Sequence, residues 1–399
     1  MKEKRKVFLK KFLIGFVITV FSVALVTAVT NFAIYKSHLK RISEYKPVVN
    51  PEAVVPVEDE NGEFTFTTDR ELKIVTLSDV HFGGGWMSFK KDRMAINTVA
   101  AMVTAEKPDL VVIAGDISYP VPFQAGTFNN KTSAMMFITL MEQLQVPWTV
   151  TFGNHDTESY SYFNREKVSG FYSDDSLKYC LYSAGPDDVE GYGNHFIHVK
   201  NSQGLITNEI VLMDSHSYTD GDFLGIFWKY DNIKQSQVEW FEKRMNEAKL
   251  NNPDVKSVLF FHIPLVEFRV ACNEYLDNNL KDTENVKHKF GIIGEKDPYV
   301  YCGVGEDNLF EKIVELGTTH AVFNGHDHLN NIVLNYKGVD LTYNYSVDYL
   351  AYSGISKQGS QRGCTVVKLY PDGTYEQIHE NYYQDKYQPL YSKEEVTFE

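Results

Sequence analysis

Cysteine is scarce in this chain of 399 residues: Cys180, Cys272, Cys302 and Cys364 are its whole supply, and no two form a CxxC pair. That spacing argues against a thiolate zinc site or a thioredoxin-like redox motif. Cys272 and Cys302 bracket one irregular segment. A bridge there would close a loop of about 30 residues and contribute roughly 3–4 kcal/mol; buried free thiols are the equal alternative. Positive charge is also short, with 39 Lys and Arg against 53 Asp and Glu, a net charge of −14. Nucleic-acid binders show the opposite bias, so no nucleic acid partner is expected. Internal repeats and low-complexity tracts are missing too. What remains is a globular composition, 43% hydrophobic, long enough for one large domain or two ordinary ones.

Long apolar runs are absent with one exception. Phe12 to Tyr35 carries no charge, behind a flank holding Lys2, Lys4, Arg5, Lys6, Lys10 and Lys11 against Glu3 alone. A membrane-crossing helix needs about 20 such residues, whereas the core of a secretory signal runs to about 7–15. The run predicts an uncleaved anchor. The alternative is a signal peptide removed near Val26-Thr27-Ala28, releasing a secreted protein. The N-terminal flank is more basic than the Lys36, Lys40, Arg41 flank, which places the N-terminus in the cytoplasm and the bulk outside. The expected division is a basic cytoplasmic tail over 1–11, a transmembrane anchor over 12–35, a linker over 36–63 punctuated by Pro47, Pro51 and Pro56, and a folded domain over 64–399.

Within that domain one unit recurs: a short β-rich apolar run, then a polar cluster. LKIVTL (72–77) leads to Asp79-Val80-His81, and LVVIA (110–114) to Gly115-Asp116. WTVTF (148–152) leads to Gly153-Asn154-His155-Asp156, SVLFF (257–261) to His262, and AVF (321–323) to Asn324-Gly325-His326-Asp327-His328. Helical spacing fills 89–106, 131–145, 234–249 and 307–316. NIVLNY, LTYNY and TVVKLYP near the C-terminus read as strands without intervening helices. Continuous apolar strands alternating with helices imply a layered α/β fold, here two packed sheets flanked by helices. In such folds ligands bind beyond the carboxyl ends of strands, where all five clusters fall.

Taken singly, each cluster has a bland explanation. Gly115-Asp116 reads as a turn, Asp79-Val80-His81 as a cap, and His262 as a satisfied core histidine. Together they place five of the twelve histidines at strand ends, with Asp79, Asp116, Asn154 and Asp156. Nitrogen and oxygen donors without thiolate suit Fe, Mn or Zn. Seven candidate ligands are too many for one ion and suit two sharing a carboxylate.

The ordered series Asp79-x-His81, Gly115-Asp116, Gly153-Asn154-His155-Asp156, His262 and Gly325-His326-x-His328 resembles the signature of the calcineurin-like metallophosphoesterases, over roughly residues 70 to 380. YDNIKQSQVEWFE (230–242), FFHIPLVEF (260–268) and VFNGHDHLNN (322–331) resemble a narrower, purple-acid-phosphatase-like branch. The resemblance implies a four-layer α/β/β/α domain. It implies one metal on Asp79, His81, Asp116 and His328, and a second on Asp116, Asn154, His262 and His326, with Asp116 bridging. His155 would protonate the leaving-group oxygen or stabilise its charge, oriented by Asp156. Asp327 would be a turn residue or a support. True purple acid phosphatases have glycine at the place of His81 and an iron-binding tyrosine in GDxxY. This chain has both His81 and Tyr119, so His81 takes the ligand place and Tyr119 is a neighbour.

The expectation is therefore a membrane-anchored hydrolase with two metal ions, cleaving phosphomonoesters by attack of a metal-bridging hydroxide. A phosphodiesterase with the same centre is the close alternative. A catalytically silent, tethered binding protein is a second class, set against the completeness of the ligand series. His216 and Arg362, the latter in the GSQRG turn, are weaker candidates to line the site. His195, His198, His288, His320 and His379 have no constellation around them.

Overall fold

A computed structural model describes residues 2–387 except 297, 353, 354 and 356–361. Among the described residues, the strands form two sheets. In the first, the parallel strands β3 (Leu72–Leu77), β4 (Leu110–Ala114) and β5 (Trp148–Thr151) lie side by side, extended by antiparallel β13 (Gly363–Leu369) and β14 (Tyr375–Asn381). The second is ordered β1 (Val57–Glu58), β2 (Phe64–Thr67), β6 (His195–Lys200), β7 (Ile206–Leu212), β8 (Lys256–Phe260), β10 (Thr319–Asn324), β12 (Val339–Tyr343), β11 (Val333–Tyr336), β9 (Val286–Phe290). Its centre, β7-β8-β10-β12, is parallel.

The sheets face each other through Ile74, Leu110 and Val112 on one side and Ile210, Val258, Phe260 and Phe323 on the other, all buried. Helices α2 (Phe89–Glu106), α4 (Asn130–Leu144) and α5 (Arg165–Tyr172) cover the outer face of the first sheet. Helices α6 (Gln235–Asn251), α7 (Val266–Asp277) and α8 (Leu309–Leu316) cover the second. Strands between two apolar layers need no polar face, which is why LVVIA is buried at every position. The result is the expected four layers. A short helix α3 (Pro122–Ala125) sits in the loop after β4.

Helix α1 (Lys2–Ile42) is long and apolar enough to cross a membrane, and its apolar window is not buried against the domain. It does not stop at Tyr35. His38 and Ile42 are fully buried, and Tyr35, Leu39, Tyr45 and Val48 pack on the core of the first sheet. The linker expected over 36–63 is therefore not a free tether. Its first turns extend the helix, Val54 donates its N–H to Asp109 Oδ1 (2.9 Å), and β1 pairs with β2 at the end of the second sheet. Proline interrupts helix and ladder but does not stop a segment from packing. The segment bracketed by Cys272 and Cys302, read as irregular, holds the end of α7 and the whole of β9. All four cysteines are free thiols, so Cys272 and Cys302 are not bridged. Burial pushes the Cys302 thiol up to about 11.

Candidate metal centre

The carboxyl ends of β3, β4 and β5 in one sheet and of β8, β10 and β12 in the other meet at one edge of the sandwich. Backbone bonds tie the emerging loops across it. Asp79 N donates to Gly115 O (3.1 Å), His81 N to Asp116 O (3.0 Å) and Gly325 N to His262 O (3.2 Å). Four of the expected ligands stand in the left-handed region, Asp79 and His81 at φ 50°, Asp116 at 54° and His326 at 80°. Such conformations cost of order 1–3 kcal/mol each and persist only where the surroundings impose them. The glycines of the motifs allow close approach: a Cβ on Gly153 would sit 2.1 Å from Asp116 Oδ1, and one on Gly325 1.8 Å from Ser78 Oγ.

Asp79, His81, Asp116 and His328 are buried and place one ligand atom each within 4.8 Å of all the others. His328 Nε2 lies 3.4 Å from Asp79 Oδ1, and His81 Nε2 lies 3.2 Å from Asp116 Oδ2. The same Asp116 Oδ2 is 3.1 Å from His262 Nε2. One carboxylate oxygen is thus shared between a member of each expected set, the position a bridging ligand needs. Burial works against charge on Asp116, but the imidazoles of His262 and His155 hold its carboxyl well below the usual range.

The second set is marked by polar atoms with few partners. Among the described residues, Asn154 Oδ1 and His326 Nε2 are buried and make no hydrogen bond, and His262 Nε2 faces the Asp116 carboxylate at 3.1 Å. Their other polar atoms decide how they face. Asn154 Nδ2 donates to Tyr218 Oη (3.0 Å), which turns the amide oxygen inward. His262 Nδ1 is 2.8 Å from Ala114 O, which makes Nδ1 the protonated nitrogen and leaves the Nε2 lone pair to the site. Burial and the nearby His262 keep His326 neutral. Orphaned buried acceptors are costly, and an amide oxygen, imidazole nitrogens and a carboxylate oxygen form a donor set that fits a divalent cation of the Fe, Mn or Zn type.

His155 lines the cleft above this cluster. Its Nδ1 is 2.7 Å from Glu158 Oε1, which also accepts from Tyr218 Oη (3.1 Å). The expected orienting partner, Asp156, does something else. Its carboxylate accepts the backbone N–H groups of Gly153 (2.8 Å), Asp116 (3.0 Å) and Ser118 (2.8 Å), locking the loops after β4 and β5 together. Burial and the Asp116 charge push its carboxyl up to about 6. The cause lies in the local helix: His155–Thr157 is a 3-10 turn, in which residues three apart eclipse and adjacent ones diverge.

One residue that sequence reasoning missed sits behind the first set. Asp348 is fully buried, with Oδ1 3.3 Å from His81 Nδ1 and Oδ2 3.3 Å from His328 Nδ1. It also accepts from the N–H groups of Leu350, Ala351 and Tyr352, at 2.6, 2.9 and 2.6 Å. Burial opposes its charge, yet the two imidazoles hold its carboxyl well below the ordinary range. The only trace of it in the sequence is an aspartate five residues after β12. Arg362, a weak candidate for substrate contact, is instead buried, donating to Asp348 O (2.7 Å) with its guanidinium 3.9 Å from the Tyr349 ring. His216 pairs with Gln237 Oε1 (3.0 Å), a structural partner. Asp327 accepts from Tyr343 Oη and from Tyr301 N (3.0 Å) and so supports the loop. Tyr119 packs its ring 4.7 Å from His81 and 4.8 Å from His155.

The cleft over the cluster encloses about 280 Å³, walled by Tyr119, Tyr218, Trp228, Tyr230, Tyr301 and Tyr352. Among the described residues, no Lys or Arg lines it.

A model of the calcineurin-like phosphoesterase family matches residues 72–330. Over 319 residues the chain is 28% identical to "Probable inactive purple acid phosphatase 14" of Arabidopsis thaliana, spanning 73% of this chain and 74% of that one. It is 27% identical over 285 residues to "Phosphatase DCR2" of Saccharomyces cerevisiae, spanning 67% of this chain and 46% of that protein. Among solved structures, a dimetal phosphatase from Danio rerio superposes with a TM-score of 0.51 at 13% identity, covering 79% of this chain and 97% of its own; the likeness is one of fold.

Proposed function

Because this chain belongs to the calcineurin-like phosphoesterase family, we propose that it is an active, membrane-anchored phosphomonoesterase that works with two divalent cations. Asp79, His81, Asp116 and His328 would hold one, and Asp116, Asn154, His262 and His326 the other. The observation that supports the reading is the shared Asp116 Oδ2, 3.2 Å from His81 Nε2 and 3.1 Å from His262 Nε2, with Asn154 Oδ1 and His326 Nε2 buried and without a hydrogen bond among the described residues. The chemistry such cations supply when bound is activation of water and neutralisation of the charge that grows on the phosphoryl oxygens.

The chain's own residues do the rest. Asp348 holds His81 and His328 by their Nδ1 atoms, which leaves Nε2 of each toward the centre. Glu158 fixes the His155 tautomer by accepting the hydrogen bond from Nδ1–H, and His155 carries the proton for the departing oxygen on its other nitrogen. Asp156 positions the Asp116 and Gly153 backbones. Some relatives bear the word inactive in their names; in this chain the ligand series and the proton donor are both complete, which supports turnover. The basic N-terminal flank supports a cytoplasmic N-terminus with the catalytic domain on the other side.

The test is metal content per chain by elemental analysis, with hydrolysis of p-nitrophenyl phosphate and bis-p-nitrophenyl phosphate compared on the same sample. About two metals, faster monoester cleavage and loss of turnover in His155→Ala are expected. Less than one metal after reloading with Mn, Fe and Zn, with neither ester cleaved, would overturn the hydrolase. A faster diester would overturn the monoesterase alone.

A further inference from the structure

Three loops of this chain carry no charged residue: Phe82–Phe89, Ile117–Asn130 and Ser159–Asn164. Parts of them are buried, among them Phe82, Ser88, Ile117, Ser118 and Asn130, but their exposed residues are uncharged too, in a chain that is 23% charged. They also display large apolar side chains to solvent: Phe123 is 87% exposed, Tyr162 67%, Trp86 50%, Met87 45% and Phe128 40%. Scattered exposed apolar residues are ordinary, but a contiguous group is not.

Four of these side chains, Trp86, Met87, Phe128 and Tyr162, gather beside α1, and Phe123 follows Pro122, which lines the same cleft. A cleft of about 370 Å³ is lined by Ala24, Ala28 and Asn31 of the helix together with Trp86, Phe128 and Tyr162 of the loops. Asn31 fastens the two parts: its Nδ2 donates to Gly126 O (3.1 Å), and its Oδ1 accepts from Trp86 N (2.9 Å). The Trp86 loop is itself pinned, since Gly83 and Gly84 donate to the Asp92 carboxylate at 2.8 and 3.1 Å. Phe128 and Tyr162 stack with centroids 6.4 Å apart.

The helix register says where this group lies. The hydrocarbon core of a bilayer is about 30 Å thick, and a helix rises 1.5 Å per residue, so about 20 residues cross it. Counted from Phe12, the first residue after Lys10 and Lys11, that length ends at Asn31. Asn31 is where the helix meets Trp86 and Gly126, so the loops stand at the level of the far membrane–water boundary. Trp and Tyr are the side chains enriched there.

We propose that Trp86, Met87, Phe123, Phe128 and Tyr162 form a collar seated in the lipid interface around α1, holding the catalytic domain against the bilayer. The inference rests on the reading of α1 as a membrane span. The partner is the interfacial layer of the lipid, continuous with the surface of α1 and matched to an uncharged aromatic rim.

The test uses the full chain reconstituted in phosphatidylcholine vesicles carrying brominated acyl chains, with tryptophan emission as readout. Trp148 and Trp240 are buried and Trp228 lies at the catalytic cleft, so Trp86→Phe and Trp228→Phe separate the exposed pair. Bromines near the headgroup are expected to quench the wild type more than deep ones. The quench should be lost in Trp86→Phe, kept in Trp228→Phe, and regained when Phe123→Trp is added to Trp86→Phe. Equal quenching of wild type and Trp86→Phe, with no regain at position 123, would overturn the collar. Intact mass and alkaline carbonate washing of the same vesicles identify a failure of the span itself: a shortened chain, or an intact one washed off, would overturn anchor and collar together.

Discussion

Replacing Asp348 by asparagine removes one carboxylate oxygen from between two imidazoles while keeping the shape of the side chain. Each of His81 and His328 presents Nδ1 to Asp348 at 3.3 Å. The carboxylate fixes both tautomers and raises the basicity of both rings. Loss of one such support costs about 10–100-fold in metal affinity. Asparagine keeps the oxygen that faces His81, Leu350 and Ala351 and puts an amide nitrogen toward His328, so the expected loss is that of one support, about 10–100-fold or about 1.4–2.7 kcal/mol. The second set has no contact with Asp348 and should be spared. Competition with a chelator, followed by elemental analysis, should show one ion of two leaving early in Asp348→Asn, with hydrolysis falling in parallel. Asparagine retains an acceptor for the N–H groups of Leu350 and Ala351, so the loop is expected to stay folded by near-ultraviolet circular dichroism. An unchanged chelator midpoint for both ions, in a folded variant, would refute the supporting role. Simultaneous loss of both ions would refute the division into two sets.

Other expectations follow from the same geometry. His155→Ala should retain its metal and lose turnover by about 10²–10⁴-fold, and Glu158→Gln should flatten the pH–rate profile without changing metal content; unchanged profiles would return the orienting role to another group. In Gly153→Ala the new Cβ meets Asp116 Oδ1 at 2.1 Å, so metal binding should fail before the fold does, which metal analysis beside a thermal melt would show. His198 sits between Glu209 (2.8 Å) and Glu63 (3.1 Å), the latter also held by Arg244. Burial opposes its charge, but the two carboxylates push it up to about 9. A raised histidine stabilises the fold fully below its unfolded value near 6.5 and loses that contribution as pH rises through 9. Glu63, brought down to about 2 against burial by its bond to His198 and by Arg244, contributes above about 4.5 and loses it as pH falls through 2. The stability gap between wild type and His198→Gln should therefore be widest near pH 5.5, on the order of 2–3 kcal/mol, and close above pH 9. Denaturant melts across that range decide it.

The strands that end in site residues were legible because they are buried on both faces. LVVIA is a continuous apolar run and LKIVTL is one but for Lys73 and Thr76; their bounds match β4 and β3 to the residue. The polar clusters stood out for the same reason: a carboxylate or imidazole after such a run has no place in an apolar layer. Strands β6 and β9 were not legible. HFIHVK and VKHKF mix charge into short segments at or near the sheet's ends.

Residue types and their order thus determined by themselves the family, the layered fold, the ligand candidates and the apolar N-terminal helix. The family rests on the resemblance of the ordered motifs; the others rest on local chemistry: burial of a run, donor type, or the length of an uncharged stretch. The tertiary structure alone decided which groups meet. Asp348 reaches His81 and His328 because Ser346 bridges to Ser78, and Val347 N donates to Ser78 O (3.1 Å), tying the loop after β12 to the end of β3. Glu158, not the adjacent Asp156, faces His155 because a 3-10 turn brings residues three apart into line. Asn31 joins α1 to two loops that follow it by 55 and 95 residues. Contacts of that separation are made by the packing of layers, and no local pattern in the chain encodes them.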